Sequence, residues 1–120
     1  MNLTSFDNVN FAISDKLKAT ASQLLWWLHT YSRADKPILS RDLESQFHVA
    51  GPEIRAMVDY LILVERKPIA SGGKGYFLAR NRDEIAGSIA HREQRGIKNL
   101  TVASALKGIF SVEEQTELKL

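Results

Sequence analysis

The sequence predicts a mainly α-helical protein with one small β-hairpin, and three observations support this fold class. Apolar residues recur at three- and four-residue steps over most of the chain, which is the spacing of one helical face. One stretch, Gly72-Gly-Lys-Gly75, lies between two short strand-like runs. The chain has 120 residues, 44% of them hydrophobic and 25% charged, which fits one folded domain and not a disordered polymer.

The first predicted helix begins at Ser14 or Asp15, since either residue is a suitable N-cap. Trp26 and Trp27 fall beside its apolar face, and we expect at least one of them to pack on a neighbouring element. The charged segment 32–37 contains a proline, so it ends the pattern and predicts a loop. The apolar face of this helix is Leu17, Ala21, Leu24, Leu25 and Leu28.

Two shorter helices are predicted next, joined by a tight turn. Ser40 is expected to cap the first, in which Leu43 and Phe47 form an inward pair one helical turn apart. Gly51-Pro52 opens the second, because proline suits a first helical turn where its missing N–H is not needed. Val49 in the turn is expected to be a buried plug. The inward face of the second helix is expected to be Ile54, Met57 or Val58, Leu61 and Val64.

The glycine-rich run 72–75 could hold a phosphate, turn a hairpin or link two segments loosely, and its context favours the hairpin. A phosphate-binding loop needs a glycine, four residues and then Gly-Lys-Ser/Thr, but Pro68 and Gly75 occupy the two end positions of that pattern. The dinucleotide-binding pattern Gly-x-Gly-x-x-Gly is absent. Residues 69–71 and 76–79 flank the run as strand-like segments, and glycine readily supplies the positive φ of tight turns.

A further helical region follows the hairpin and exceeds what a three-helix core needs. Asn81 and Glu84 have the spacing of a capping box, with asparagine as the cap. The region predicts one long helix, or two helices parted near Gly96, and its apolar residues either extend the core or associate with a second copy. Residues 111–120 are expected to be a flexible tail. The apolar series is Ile85, Ile89, Ile97, Leu100, Leu106 and Ile109 or Phe110.

Composition and spacing argue against several classes of function. The chain has no cysteine, which excludes disulfides and thiolate sites and is compatible with a reducing compartment. His29, His48 and His91 lack the spacing of metal ligands, and no serine has a nucleophile signature. No secretory signal or membrane-spanning stretch is recognisable. We therefore expect a cytoplasmic, non-enzymatic protein without cofactor, metal or membrane contact.

The order of helix, short helix, turn, helix and hairpin is that of a winged helix-turn-helix domain. Residues at the core spacings and in the turn carry the likeness: Leu43, Val49, Ile54, Val58, Leu61, Pro68-Ile69 and Gly73-Lys74-Gly75-Tyr76. Over residues 20–80 the chain resembles this family, and is similar to the N-terminal DNA-binding domain of biotin operon repressors and to small winged-helix proteins of bacteriophages. We thus expect a winged helix-turn-helix domain over residues 1–80, with 1–13 loose, and a C-terminal helical segment over 81–110.

The resemblance implies binding to duplex DNA, with residues 52–64 forming a helix in the major groove and the hairpin against the backbone or minor groove. Arg55 would read a guanine edge, and Tyr60 is a further contact on the same helix. Residues 51–82 hold six basic and three acidic residues, an excess of +3 within a chain of net charge +2. The expected phosphate contacts are Lys74, Arg80, Arg66, Lys67 and Arg41.

The family pattern is not followed everywhere. Arg55 is the only cation on the exposed face of the second short helix, which also holds Glu53 and Asp59, and Arg66 stands where relatives commonly have glycine. We expect a small bacterial or bacteriophage transcription regulator that acts by occupying double-stranded DNA as a homodimer joined through its C-terminal segment. The alternative is a protein–protein interaction module of a replication or phage assembly complex, using the face formed by Glu53, Asp59 and Tyr60.

Overall fold

The computed structural model describes the backbone of residues 12–116 and the side chains of residues 12–109. Within this range four α-helices and one two-stranded antiparallel hairpin form a winged-helix-like layout, which confirms the predicted fold class. No helix among the described residues has the length and apolarity needed to cross a bilayer. The elements are α1 (Asp15–Tyr31), α2 (Ser40–Phe47), α3 (Gly51–Leu63), β1 (Ile69–Gly72), β2 (Gly75–Leu78) and α4 (Arg82–Thr116).

Helix α1 has a capped start and a buried apolar face. Ser14 Oγ accepts the N–H of Leu17 at 3.2 Å, so Ser14 is the N-cap, one of the two residues predicted. Leu17 and Leu25 flank the buried stripe and are themselves partly buried. The stripe consists of Ala21, Leu24 and Leu28, which have no exposed surface.

The two tryptophans of α1 have different environments. Trp27 packs against the core and makes an edge contact with Phe47, with the ring centroids 6.0 Å apart, as expected for at least one of the pair. Trp26 is 58% exposed, and its ring makes an edge contact with Tyr31 and a tilted contact with Trp27. The Trp26 ring is therefore accessible to a partner, whereas the Trp27 ring packs against the core and stabilises the fold.

Helices α2 and α3 complete the helical core, with two departures from the predicted pattern. Leu39, and not Ser40, is the N-cap of α2, while Ser40 is helical and donates its hydroxyl to Glu44 Oε2 at 2.9 Å. Val64 is exposed at the C-cap of α3, so its predicted inward position is wrong. Val49 packs against the core, although only partly buried. The fully buried residues of the two helices are Leu43, Ile54, Met57, Val58 and Leu61.

The hairpin has the predicted position and a two-residue loop, Gly73-Lys74. Ile69 pairs with Leu78 and Gly72 with Gly75, in an antiparallel register. The segment before α2 forms an isolated antiparallel bridge with β2, in which Ile38 and Tyr76 exchange both backbone hydrogen bonds at 2.8 Å.

Gly75 is the position of the hairpin where glycine is required. Among the described residues it is the only glycine with positive φ, at 118°, so the expected positive φ does not lie in the loop residues themselves. A Cβ on Gly75 would lie 2.2 Å from the carbonyl oxygen of Ile38. A side chain at this position would therefore push the segment before α2 away from the hairpin and strain the backbone.

Helix α4 begins at the predicted cap and continues without a break. Asn81 Oδ1 accepts the N–H of Glu84 at 3.0 Å, while Glu84 Oε1 accepts the N–H of Arg80 at 2.8 Å, one residue earlier than the capping box predicts. The helix passes through Gly96 and reaches Thr116, which selects the single-helix prediction and extends it beyond residue 110. Of the expected loose segments, residues 1–11 and 117–120 lie outside the described range.

The chain forms two compact units, divided within α4. The first unit extends to Ala86 and contains α1, α2, α3 and the hairpin, together with the core described above. The second unit begins at Gly87 and consists of the remainder of α4.

Candidate nucleic-acid interface

The hairpin tip and the start of α2 are held together by the backbone. Lys74 is exposed in the loop, and the adjacent Gly75 lies against the Ile38 carbonyl and the Leu39 N–H. Arg41, also exposed, is in the first turn of α2. Chain geometry then limits the separation of the Lys74 and Arg41 Cα atoms to about 18 Å. The bridge therefore keeps these two predicted DNA contacts in the same part of the first unit.

Arg55 extends from the N-terminal half of α3 into solvent. A Cβ built on Gly51 would lie 3.7 Å from Arg55 Nη1 and 3.5 Å from Glu44 Oε2, so a guanidinium and a carboxylate both border the start of α3. Glu53 Oε1 accepts the N–H of Ala50 at 3.0 Å, which uses this carboxylate to stabilise the helix start. Arg55 is the cation of this helix that can reach a ligand.

The middle of α3 is less accessible than the sequence suggests. Asp59 and Tyr60 are both half-buried, and Tyr60 packs against the core cluster. The predicted acidic and tyrosine-bearing face therefore consists of one carboxylate engaged at the helix start and two side chains that are partly covered.

Arg66 and Lys67 follow α3 and are both exposed. Arg66 has φ of 58°, the left-handed conformation that favours glycine. The turn is closed by a hydrogen bond of 2.9 Å from the Lys67 N–H to the Leu61 carbonyl. The two cations are thus placed at the C-terminal end of α3, whereas Arg55 is near its N-terminal end.

Arg80 has a structural role that the sequence did not indicate. Its Nη1 donates to the Ser32 carbonyl and its Nη2 to the His29 carbonyl, each at 3.2 Å. These carbonyls belong to the C-terminal end of α1, which lacks further helical donors. The guanidinium therefore joins the end of the hairpin to α1, so the side chain of Arg80 stabilises the fold and is not a predicted phosphate contact of the same kind as Lys74.

Sequence reasoning also missed two features near the C-terminal end of α1. Ser32, predicted only as part of a loop, is buried, donates to the Leu28 carbonyl at 2.6 Å and accepts the Leu78 N–H at 3.0 Å. An open groove of about 290 Å³ lies nearby, lined by Ser22, Leu25, Trp26, His29, Lys67 and Leu78. A serine directly after an amphipathic helix was the available signal, since such residues commonly satisfy helix-end carbonyls.

The described residues contain no metal-binding cluster. His29, His48 and His91 are all exposed, and no group of three or more acidic or histidine side chains between residues 12 and 109 could hold an ion. His48 has φ of 54° at the C-cap of α2. The site therefore consists of separate cations on exposed elements, a set suited to binding an extended anion.

Comparisons with protein-family models, curated proteins and solved structures find no match to this chain.

Proposed function

We propose that the chain binds duplex DNA through its helix-turn-helix and hairpin and regulates transcription by occupying the DNA. The observation that carries the proposal is the Ile38–Tyr76 bridge, which ties the hairpin to the segment before α2 and so limits the distance between the Cα atoms of the exposed Lys74 and Arg41 to about 18 Å. Cations on two elements that are joined through the backbone suit the regularly spaced phosphates of a duplex. The family resemblance is the second support, and it favours a small bacterial or bacteriophage regulator.

The binding mechanism divides the cations into two classes. Lys74, Arg41, Arg66 and Lys67 contact phosphates, which orient the protein on the duplex without selecting a sequence. Arg55 enters the major groove with α3 and donates two hydrogen bonds to a guanine edge. Because α3 offers a single exposed cation, the phosphate contacts supply most of the affinity and sequence selection is modest.

A direct test is fluorescence anisotropy with a mixed-sequence duplex at about 50 mM and about 200 mM salt. We expect affinity to fall steeply with salt, by about 150- to 500-fold if four or five phosphates are neutralised. Lys74→Glu should weaken binding at low salt, whereas the matched charge reversal Lys16→Glu, in the first turn of α1, should leave it unchanged. Equal affinities for the native chain and Lys74→Glu, with both folded, would contradict the role of the hairpin.

A protein-interaction module is the second candidate, and the exposed Trp26 favours it. This ring lines the open groove beside Leu25 and Leu78, so an apolar side chain of another protein could dock there. The same titration distinguishes the candidates, because an interaction module shows no salt-dependent binding to duplex DNA.

A further inference from the structure

Helix α4 carries an apolar stripe that its own unit leaves exposed. Val102, Leu106 and Ile109 are 50%, 52% and 51% exposed, although they lie on one face of the helix. With Arg95, Asn99 and position 113, they form a series with alternating steps of four and three residues. This is the spacing of the seam positions in a two-stranded coiled coil.

Charge is distributed unevenly along the same helix. Residues 92–98 hold three basic side chains and one acidic, a net charge of +2, whereas residues 107–114 hold one basic and two acidic, a net charge of −1. A parallel pair of copies would place each residue level with its own duplicate and so bring like charges together. An antiparallel pair brings the basic end of one helix to the acidic end of the other.

We propose that residues 95–113 pair with a second copy of this chain as an antiparallel two-stranded coiled coil centred on Ser104. Reflection about residue 104 matches Val102 with Leu106 and Asn99 with Ile109 of the partner. It also sets Arg95 opposite position 113, which is a glutamate in the sequence. This one register therefore places apolar side chains against each other at the centre of the pair and opposite charges against each other at its ends.

Asn99 is the uncharged polar residue of the seam. A polar seam residue costs stability, and this cost is larger in a register that buries its amide at the centre of the pair than in one that keeps it near the edge. In the proposed register Asn99 lies beside Ile109 at the edge of the apolar centre, where water still reaches the amide. The paired segment is about 28 Å long and its association is therefore of moderate strength.

The first test is sedimentation equilibrium of the full chain, without DNA, over about two orders of magnitude in concentration. We expect a monomer–dimer equilibrium, and Leu106→Lys should raise the dissociation constant by about a hundredfold. Leu100→Lys is the matched control, because Leu100 is 73% exposed and lies on the opposite side of the helix. A native chain that stays monomeric overturns the proposal, as does a Leu100→Lys variant that dissociates like Leu106→Lys.

A charge exchange tests the direction of the pair. Arg95→Glu or Glu113→Arg alone places like charges opposite each other twice per dimer and should weaken association by about tenfold. The double variant, Arg95→Glu with Glu113→Arg, should restore it. Failure of this rescue overturns the antiparallel register. Tryptophan fluorescence verifies that each variant keeps the fold of the first unit. Since no DNA is present, these outcomes are independent of the proposed DNA binding.

Discussion

Helices α1 and α4 contain apolar residues at the same spacing but in opposite environments. Leu24 and Leu28 of α1 have no exposed surface, whereas Val102 and Leu106 of α4 are about half exposed. Helical periodicity shows that residues share a face, yet it does not show whether the same chain covers that face. The comparison separates residues that stabilise the fold from residues that remain available to a partner.

Truncation of one leucine in each helix should give the largest difference. Leu24→Ala removes buried methyl groups and leaves a cavity, so it should lower the free energy of unfolding by about 2–5 kcal/mol. Leu100→Ala in α4 removes exposed surface and should change stability by less than about 0.5 kcal/mol. Urea unfolding followed by tryptophan fluorescence and by circular dichroism measures both effects. Similar losses from the two variants would mean that Leu100 is buried in solution.

Replacing a glycine by alanine should lower stability in the hairpin and raise it in α4. Gly75→Ala places a methyl group against the Ile38 carbonyl and requires an alanine at φ of 118°, which should cost about 1–3 kcal/mol. Gly96→Ala in α4 meets open space and improves helix propensity, so it should add up to about 1 kcal/mol of helix stability. Thermal unfolding followed by circular dichroism reports both changes. A destabilising Gly96→Ala would indicate a close contact at this glycine.

The fold was largely predictable because local signals agreed with the tertiary packing. Ser14 and Asn81 act as the caps their side chains suggest, and Leu43 is buried as its spacing predicts. The errors occur where a boundary depends on one residue. Ser40 has a cap-forming side chain, but its hydroxyl donates to Glu44 and Leu39 becomes the cap. Val64 continues the apolar spacing, but α3 ends before it.

The candidate site was less predictable because the roles of its residues depend on contacts distant in sequence. The distance between Lys74 and Arg41 is limited by the Ile38–Tyr76 bridge, which no local sequence pattern predicts. Arg80 has the sequence character of a surface cation, yet its guanidinium donates to carbonyls about fifty residues away. Charge type is readable from a sequence, whereas the partner of a charge is a property of the fold.

The smallest expected effect concerns two hydroxyls, of Ser32 and Thr101, that each donate to the carbonyl four residues earlier. Ser32 Oγ donates to Leu28 and Thr101 Oγ1 donates to Ile97, each four residues earlier, but only Ser32 is buried and also accepts the Leu78 N–H. Ser32→Ala leaves that N–H without its partner and should cost about 1–3 kcal/mol, whereas Thr101→Ala in exposed α4 should be neutral or slightly stabilising.

Amide hydrogen exchange resolves this last effect at a single group. Ser32→Ala should accelerate exchange of the Leu78 amide more than that of Tyr76, whose N–H donates to Ile38 and not to Ser32. Uniform acceleration across the hairpin would instead indicate a general loss of stability. Unchanged exchange at Leu78 would contradict the hydrogen bond itself. A selective change would show that one buried hydroxyl joins the end of α1 to the hairpin.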